Sequence, residues 1–112
     1  MADDDPLLRE FMRRVMVEFG HHATFVEDGG GAVAALASEQ FDIAMLDQHM
    51  PLLTGTQVIE WVRTQLPPSQ WPVLAIATTD QSPQSRVRAL AAGADYYLVK
   101  PLTASDLNTL FA

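Results

Sequence analysis

The sequence predicts a doubly wound α/β domain built on a parallel sheet. Short apolar runs at residues 43–46, 73–77 and 96–99 alternate with longer segments of helical periodicity. This alternation is typical of a parallel sheet with helices on both faces. A chain of 112 residues is long enough for one hydrophobic core but not for two, so we expect a single domain over residues 1–112.

A helix is predicted immediately after the amino terminus. Asp5 suits the N-cap position, Pro6 suits the first helical position, and Gly20 ends the segment. Apolar residues recur at helical spacing and define the face expected to be buried: Leu8, Phe11, Met12, Val15 and Phe19.

Residues 21–26 are predicted to form a short strand. His21 and His22 are candidate metal ligands, but no acidic or histidine partner stands at helical spacing beside them, which favours a strand-entry loop. The three glycines at 29–31 lack the Lys-Ser/Thr ending of a phosphate-binding loop. We therefore expect a flexible turn there, followed by a small helix over residues 32–38.

The stretch from Phe41 to Gly55 holds the main candidate for chemistry. The apolar residues 43–46 have no room for a helix before Pro51, so they predict a buried strand that ends at Asp47. In an open parallel sheet, ligands bind at the carboxyl ends of the strands. A carboxylate at that position is a candidate nucleophile.

The second half of the chain repeats the alternation. A helix over residues 54–66 is expected to leave Trp61 partly exposed and to bury Val58, Ile59, Val62 and Leu66. After the strand at 73–77, a helix runs from Pro83 to Gly93 and is expected to bury Val87, Leu90 and Ala91. The last strand leads to Lys100, and a final helix is predicted over residues 103–110.

Polar side chains follow successive strands, namely Asp47, Thr78 and the only lysine, Lys100. Because the carboxyl ends of parallel strands meet at one edge of a sheet, we expect these residues to share a crevice. Asp3 and Asp4 would bring further carboxylates, and such crowding either raises a pKa or favours a bound cation. Oxygen ligands suit Mg²⁺, and the whole set suits phosphoryl transfer.

Composition argues against several functional classes. A net charge of −7 disfavours sequence-independent binding to nucleic acid. No apolar run approaches the roughly 20 residues of a membrane span, and there is no signal-peptide pattern. With no cysteine, the chain cannot form disulfides, which fits a cytoplasmic location.

Three motifs together resemble the receiver domain of bacterial two-component response regulators: DDDP at residues 3–6, DxxMPxxxG from Asp47, and GADYYLVKP ending at Pro101. The resemblance implies a flavodoxin-like sheet of five strands in the order 2-1-3-4-5. It implies that Asp47 accepts a phosphoryl group from a phosphohistidine of a histidine kinase or histidine phosphotransfer protein. The domain would be a signalling switch that catalyses only its own phosphorylation and dephosphorylation.

The resemblance also implies a cation site. Mg²⁺, or Mn²⁺, would be held by Asp4, Asp47 and the backbone carbonyl of His49, with Asp3 acting mainly through water. Lys100 would pair with the site and then with the phosphoryl oxygens. In this family the position of His49 also influences how long the phosphoryl group survives.

The family's switch residues correspond to Thr78 and Tyr97. The Thr78 hydroxyl would bond the phosphoryl group, and Tyr97 would turn into the vacated space. The fourth helix, fifth strand and fifth helix would then bind an effector domain or a second copy. Counting forward from Pro72 places the hydroxyl position at Ala77, whereas counting back from Lys100 places it at Thr78, which we prefer.

Only Met1 and Ala2 precede the acidic pair, where the resemblance implies about five apolar residues. Burying four such side chains would contribute roughly 6 to 12 kcal/mol, comparable to the stability of a whole domain. We therefore expect the first strand and the last helix to be truncated, and a chain starting at Met1 to be unstable or rearranged.

Three alternatives compete with a phosphoacceptor. An aspartate-nucleophile phosphatase would need a second acid where this chain has His49. A flavin-binding relative would need a hydroxyl- and glycine-rich loop after the first strand. A receiver-like protein-interaction module that is no longer phosphorylated differs only in activity and stays open as the alternative.

Overall fold

A three-stranded parallel sheet lies between two groups of helices in the computed structural model, which describes residues 1–111. The strands are β1 (Ile43–Leu46), β2 (Val73–Thr78) and β3 (Tyr96–Val99), in that spatial order. β1 pairs with β2 along its whole length, and β2 pairs with β3 up to Thr78↔Val99. All three predicted apolar strands are therefore confirmed.

Ala2 extends the sheet beyond β1 by one residue. It forms single parallel bridges to Leu46 and to Val26, and the Asp47 N–H donates to the Ala2 carbonyl oxygen at 2.9 Å. The order of pairing is thus the predicted 2-1-3-4-5, with its first two members reduced to single bridges. The predicted strand over residues 21–26 is wrong in extent, because Val26 alone pairs within it.

Within the described residues 1–111, five α-helices and one 3₁₀ turn surround the sheet. They are α1 (Pro6–Glu18), α2 (Gly29–Ser38), α3 (Gly55–Gln65), α4 (Pro83–Ala92), α5 (Ala104–Phe111) and the turn Pro68–Gln70. Asp5 caps α1 as predicted, by accepting a hydrogen bond from the Leu7 N–H at 2.9 Å. None of the helices within residues 1–111 is long and apolar enough to cross a membrane.

Helix α2 begins earlier than the sequence predicts. The three glycines form its first turn, and the Asp28 carboxylate caps it by accepting from the Gly31 N–H at 2.7 Å. A Cβ atom at Gly29 would collide with the side chain and backbone of Leu53. The expectation of a flexible turn is therefore wrong: close packing against Leu53 requires glycine at the start of this helix.

The helices cover the two faces of the sheet as two separate clusters of buried side chains. On one face, α2, α3 and α4 supply residues such as Leu36, Ile59 and Ala89. On the other face, α1 and α5 supply Met12, Met16, Leu107 and Leu110. The buried stripe of α3 is confirmed for Val58, Ile59 and Val62, while Leu66 and Trp61 are half-buried.

The buried face predicted for α4 is wrong, and the one predicted for α1 is correct only in part. On α1, Met12 is buried as predicted and Leu8 and Val15 are half-buried, whereas Phe11 and Phe19 are exposed and Met16 is buried as well. On α4, Val87 and Leu90 are 64% and 42% exposed, and Ala91 is exposed as well. Helix α4 instead packs through small side chains, Ser85 and Ala89, which let it lie close to its neighbours.

Candidate functional site

The site lies where the strands end. Asp47 follows β1, Thr78 ends β2 and Lys100 follows β3. The Lys100 Nζ donates to Asp3 Oδ2 at 2.5 Å and to Asp47 Oδ2 at 3.2 Å. The structure thus brings together the acidic and basic residues that the sequence places at separate strand ends.

Asp3 is the most deeply buried of these carboxylates, with 0% exposure. Its N–H donates to the Val26 carbonyl oxygen at 3.1 Å, and its Oδ1 accepts from the Asp5 N–H at 2.8 Å. Because Asp5 also caps α1, the short acidic segment is fixed at both ends. Asp4, between them, is exposed at the mouth of the site.

Carboxylate oxygens of Asp3, Asp4 and Asp47 lie within 4.8 Å of one another. Three hard oxygen donors at this separation suit a divalent cation such as Mg²⁺ better than a soft transition metal. They form the one such cluster of acidic or histidine side chains within the described residues 1–111. The donor set therefore fits the cation that the resemblance implies.

Lys100 is held in its charged form. Its partial burial would lower the pKa of the ammonium, but the hydrogen bond and charge of Asp3, together with the charge of Asp47, outweigh burial and raise that pKa. The side chain therefore remains a cation at neutral pH and balances part of the negative charge around it.

Thr78 and Tyr97 both contact Asp80, in the loop that follows β2. Thr78 is fully buried, and its Oγ1 accepts from the Asp80 N–H at 3.3 Å. Tyr97 is buried too, with its hydroxyl donating to the Asp80 carbonyl oxygen at 2.7 Å and lying 2.9 Å from Ser85 Oγ. Ala77, the other candidate hydroxyl position, packs in the α1–α5 cluster.

His49 and Asp80 join two loops at the rim of the site, with His49 Nε2 lying 3.2 Å from Asp80 Oδ2. Hydrogen bonds from Ser82, followed by the one from His49, lower the pKa of Asp80 to about 2. Sequence reasoning missed Asp80. Its position could have suggested this contact: Asp80 follows Thr78 by two residues, just as His49 follows Asp47 by two residues.

Arg9 is a second neighbour that sequence reasoning missed. Its Nη1 donates to the Asp3 carbonyl oxygen at 2.7 Å. An arginine in the second turn of an amphipathic helix gives no sequence signal of this contact. The paired histidines, in contrast, lie away from the cluster: both are exposed, and the His21 ring packs against Phe111 with centroids 5.1 Å apart.

Comparisons with known proteins agree on one family. The family described as "Response regulator receiver domain" matches residues 1–112. Response regulator MprA of Mycolicibacterium vanbaalenii is 36% identical over 107 residues, which are 96% of this chain and 45% of that protein. The chain thus spans about half the length of the curated relatives it matches.

Solved structures give the same result. The receiver domain of Francisella response regulator 1452 superposes with a TM-score of 0.85 at 27% identity, over 97% of this chain and 91% of that one. The receiver domain of sensor histidine kinase PA1611 from Pseudomonas aeruginosa PAO1, described with a magnesium ion coordinated in the active site cleft, gives 0.84 at 25% identity, over 96% and 88%. On sequence, fold and the residues gathered at its strand ends, this chain belongs to the response regulator receiver domains.

Proposed function

We propose that this chain is a phosphoacceptor switch of two-component signalling. Asp47 takes a phosphoryl group from a phosphohistidine of a histidine kinase or histidine phosphotransfer protein. The observation that carries the proposal is the contact of Lys100 Nζ with both Asp3 and Asp47, next to Asp4, at the carboxyl edge of the sheet. Residues 1–112 then act as one receiver domain, in the cytoplasm.

Two neighbouring groups orient the Asp47 carboxylate for attack on phosphorus. Its Oδ2 accepts from Lys100, and its Oδ1 accepts from the His49 N–H at 3.3 Å. A carboxylate oxygen of Asp47 attacks phosphorus as the N–P bond of the phosphohistidine breaks, and the imidazole leaves with the electron pair. The product is an acyl phosphate on Asp47. Lys100, already protonated, then donates to a phosphoryl oxygen.

Asp4, Asp47 and the His49 backbone carbonyl would hold Mg²⁺ or Mn²⁺, with Asp3 acting through water. When bound, the cation neutralises charge on the phosphoryl oxygens near Asp47. The clustered carboxylates support this assignment, because without a cation they would repel an incoming phosphoryl group. Hydrolysis of the acyl phosphate in the same site resets the domain, so the only reactions catalysed are its own.

The proposed output is a change of binding partner. Thr78 bonds the phosphoryl group and Tyr97 responds, which alters the face formed by α4, β3 and α5. Helix α4 carries the exposed apolar side chains Val87 and Leu90, which give this helix the character of a docking surface. An effector domain or a second copy of this chain is the proposed partner, rather than nucleic acid or a membrane.

The test is the intact mass of the folded protein after incubation with acetyl phosphate and Mg²⁺. We expect a gain of one phosphoryl group that requires the cation. Asp47→Asn abolishes the gain, whereas Asp42→Asn, an exposed aspartate before the other end of β1, retains it. A gain that persists in Asp47→Asn, or that needs no Mg²⁺, contradicts the proposed site.

One observation favours the alternative of a phosphorylation-independent interaction module. The inward position of the Tyr97 ring is held by hydrogen bonds within the protein itself, to the Asp80 carbonyl oxygen and to Ser85 Oγ. If the folded wild type gains no mass under any condition, the acidic cluster has no phosphoacceptor role and the α4–β3–α5 face binds its partner constitutively.

A further inference from the structure

Arg9 contacts the backbone of the acidic segment, residues 3–5, and not its carboxylates. It lies in the second turn of α1, its side chain is 20% exposed, and its Nη1 donates to the Asp3 carbonyl oxygen at 2.7 Å. Its other nitrogen, Nη2, is 4.0 Å from a carboxylate oxygen of Glu27, whose own side chain is 76% exposed. An ion pair so long and so exposed contributes little, so the contact with Asp3 is the stronger of the two.

The Asp3 carbonyl is the remaining polar group of a residue whose other groups are already fixed. The Asp3 N–H is bonded to Val26, and its carboxylate is bonded to Lys100 and to the Asp5 N–H. Arg9 completes this set. The peptide unit that Arg9 holds is the one that leads into Asp4, so its orientation determines where the Asp4 carboxylate points.

We propose that Arg9 is a positioning residue for the divalent-cation site. By holding the Asp3 carbonyl it keeps the Asp4 carboxylate within reach of the Asp3 and Asp47 carboxylates. Outer hydrogen-bond partners of this kind determine how well metal ligands are oriented. The inference deepens the proposed function and rests on it, because it assumes that the acidic cluster binds Mg²⁺.

The direction in which Mg²⁺ affinity changes when Arg9 is removed distinguishes a positioning role from a purely electrostatic one. A cation beside the cluster repels Mg²⁺, so if Arg9 acted only through its charge, removing it would tighten Mg²⁺ binding. If Arg9 orients Asp4, removing it weakens binding, although the site becomes more negative. A purely structural role predicts a third result, a lower melting temperature with unchanged Mg²⁺ affinity of the folded protein.

The experiment is a Mg²⁺ titration of the unphosphorylated protein, followed by the backbone amide chemical shifts of Asp4 and Asp5. We expect Arg9→Gln to weaken Mg²⁺ binding about tenfold. Arg14→Gln is the matched control, because it removes the same charge from an exposed position on the same helix, and its dissociation constant stays within about twofold of wild type. Arg9→Lys restores the charge and one donor, so it binds with intermediate affinity.

Equal or tighter Mg²⁺ binding by Arg9→Gln overturns the inference and leaves the proposed function intact. Wild-type protein that shows no saturable Mg²⁺ binding overturns both. If Arg9→Gln does not fold, Arg9→Lys decides the question, because a charge effect alone predicts wild-type affinity for that variant.

Discussion

The Tyr97 hydroxyl lies 2.9 Å from Ser85 Oγ, in the buried space between β3 and α4. Ser85 lies on the buried face of α4, although the apolar pattern of the sequence predicts a different buried face. It contacts Tyr97, the aromatic residue that is proposed to respond to phosphorylation. In this chain the inward position of Tyr97 is therefore stabilised by a side chain as well as by the Asp80 carbonyl.

Ser85→Ala removes one of these two contacts. We expect the free energy of unfolding to fall by about 1 kcal/mol, and the Tyr97 ring to become more mobile, because a buried hydrogen bond of ordinary strength is lost. Urea unfolding and the NMR line shape of the tyrosine ring measure the two effects. Ser105→Ala, on the exposed side of α5, is the control. Unaltered ring behaviour would mean that Ser85 does not hold Tyr97 inward.

Lys100→Met leaves Asp3 buried without its cation. We expect the free energy of unfolding to fall by about 2 to 3 kcal/mol, because a buried carboxylate loses its partner. Mg²⁺ recovers more stability in this variant than in wild type, since the site has become more negative. Urea unfolding with and without Mg²⁺ measures both values. If Mg²⁺ stabilises the two proteins equally, Lys100 does not balance the charge of the acidic cluster that binds the cation.

His49→Ala opens the rim that His49 and Asp80 form together. We expect faster hydrolysis of the acyl phosphate, by several-fold, because water reaches Asp47 more freely, while Mg²⁺-dependent loading is largely unchanged. The decay of the phosphorylated mass after removal of the phosphodonor measures the lifetime. His22→Ala removes an exposed histidine far from the rim and serves as control. A lifetime equal to that of wild type would show that the contact plays no part in protecting the phosphoryl group.

Asp80 makes the free energy of unfolding depend on pH in the acidic range. The pKa of Asp80 falls from an ordinary value of 3.8 to about 2 in the folded protein, so its contribution to stability is present above about pH 4 and is lost as the pH falls towards 2. In Asp80→Asn this component is missing. The loss of stability between these pH values is then shallower than in wild type, as measured by urea unfolding at a series of pH values. Parallel curves for the two proteins would refute the assignment.

Gly29→Ala tests why α2 begins with glycines. A methyl group at Gly29 collides with Leu53, so we expect destabilisation by about 1 to 3 kcal/mol. At Gly30 a Cβ atom would lie 3.0 Å from the flexible end of the Leu52 side chain and 3.4 Å from Asp28 Oδ1. Gly30→Ala therefore causes no collision with backbone and gains helix propensity, so it is neutral or stabilising by up to about 1 kcal/mol. Thermal unfolding compares the pair. Equal effects at the two positions would indicate a flexible turn.

Much of the fold follows from local sequence signals. The strands at Ile43–Leu46 and Tyr96–Val99 are short apolar runs bounded by breakers. The side chain of Asp5 caps the start of α1, and the left-handed backbone of Gly93 ends α4. The gathering of Asp47 and Lys100 follows from topology, because parallel strands bring their carboxyl ends to the same edge.

The remaining features depend on contacts between distant segments. Apolar periodicity identifies a helix but does not show which face meets a neighbour when that face is made of small residues, as with Ser85 and Ala89. The glycines of α2 resemble a turn until Leu53 packs against them. The contact of His49 with Asp80 joins two loops that are 31 residues apart, so no local pattern encodes it. Arg9 lies only six residues after Asp3, but it binds a backbone carbonyl oxygen, which every residue carries and which gives no sequence signal.

The single-residue bridge at Ala2 makes the acidic site sensitive to local fraying. Asp3 and Asp4 follow a segment whose ladder pairing is limited to the single bridges of Ala2, supported by a few backbone hydrogen bonds of Met1, Ala2 and Asp3, so this segment can detach at a lower free energy than global unfolding requires. A cation that binds only the attached form has its apparent affinity reduced by the detached fraction, and on binding it protects the Ala2 and Asp3 amides from hydrogen exchange. Local opening of this segment and ligand occupancy are therefore one coupled equilibrium, and solvent exchange at these two amides reports on the state of the site.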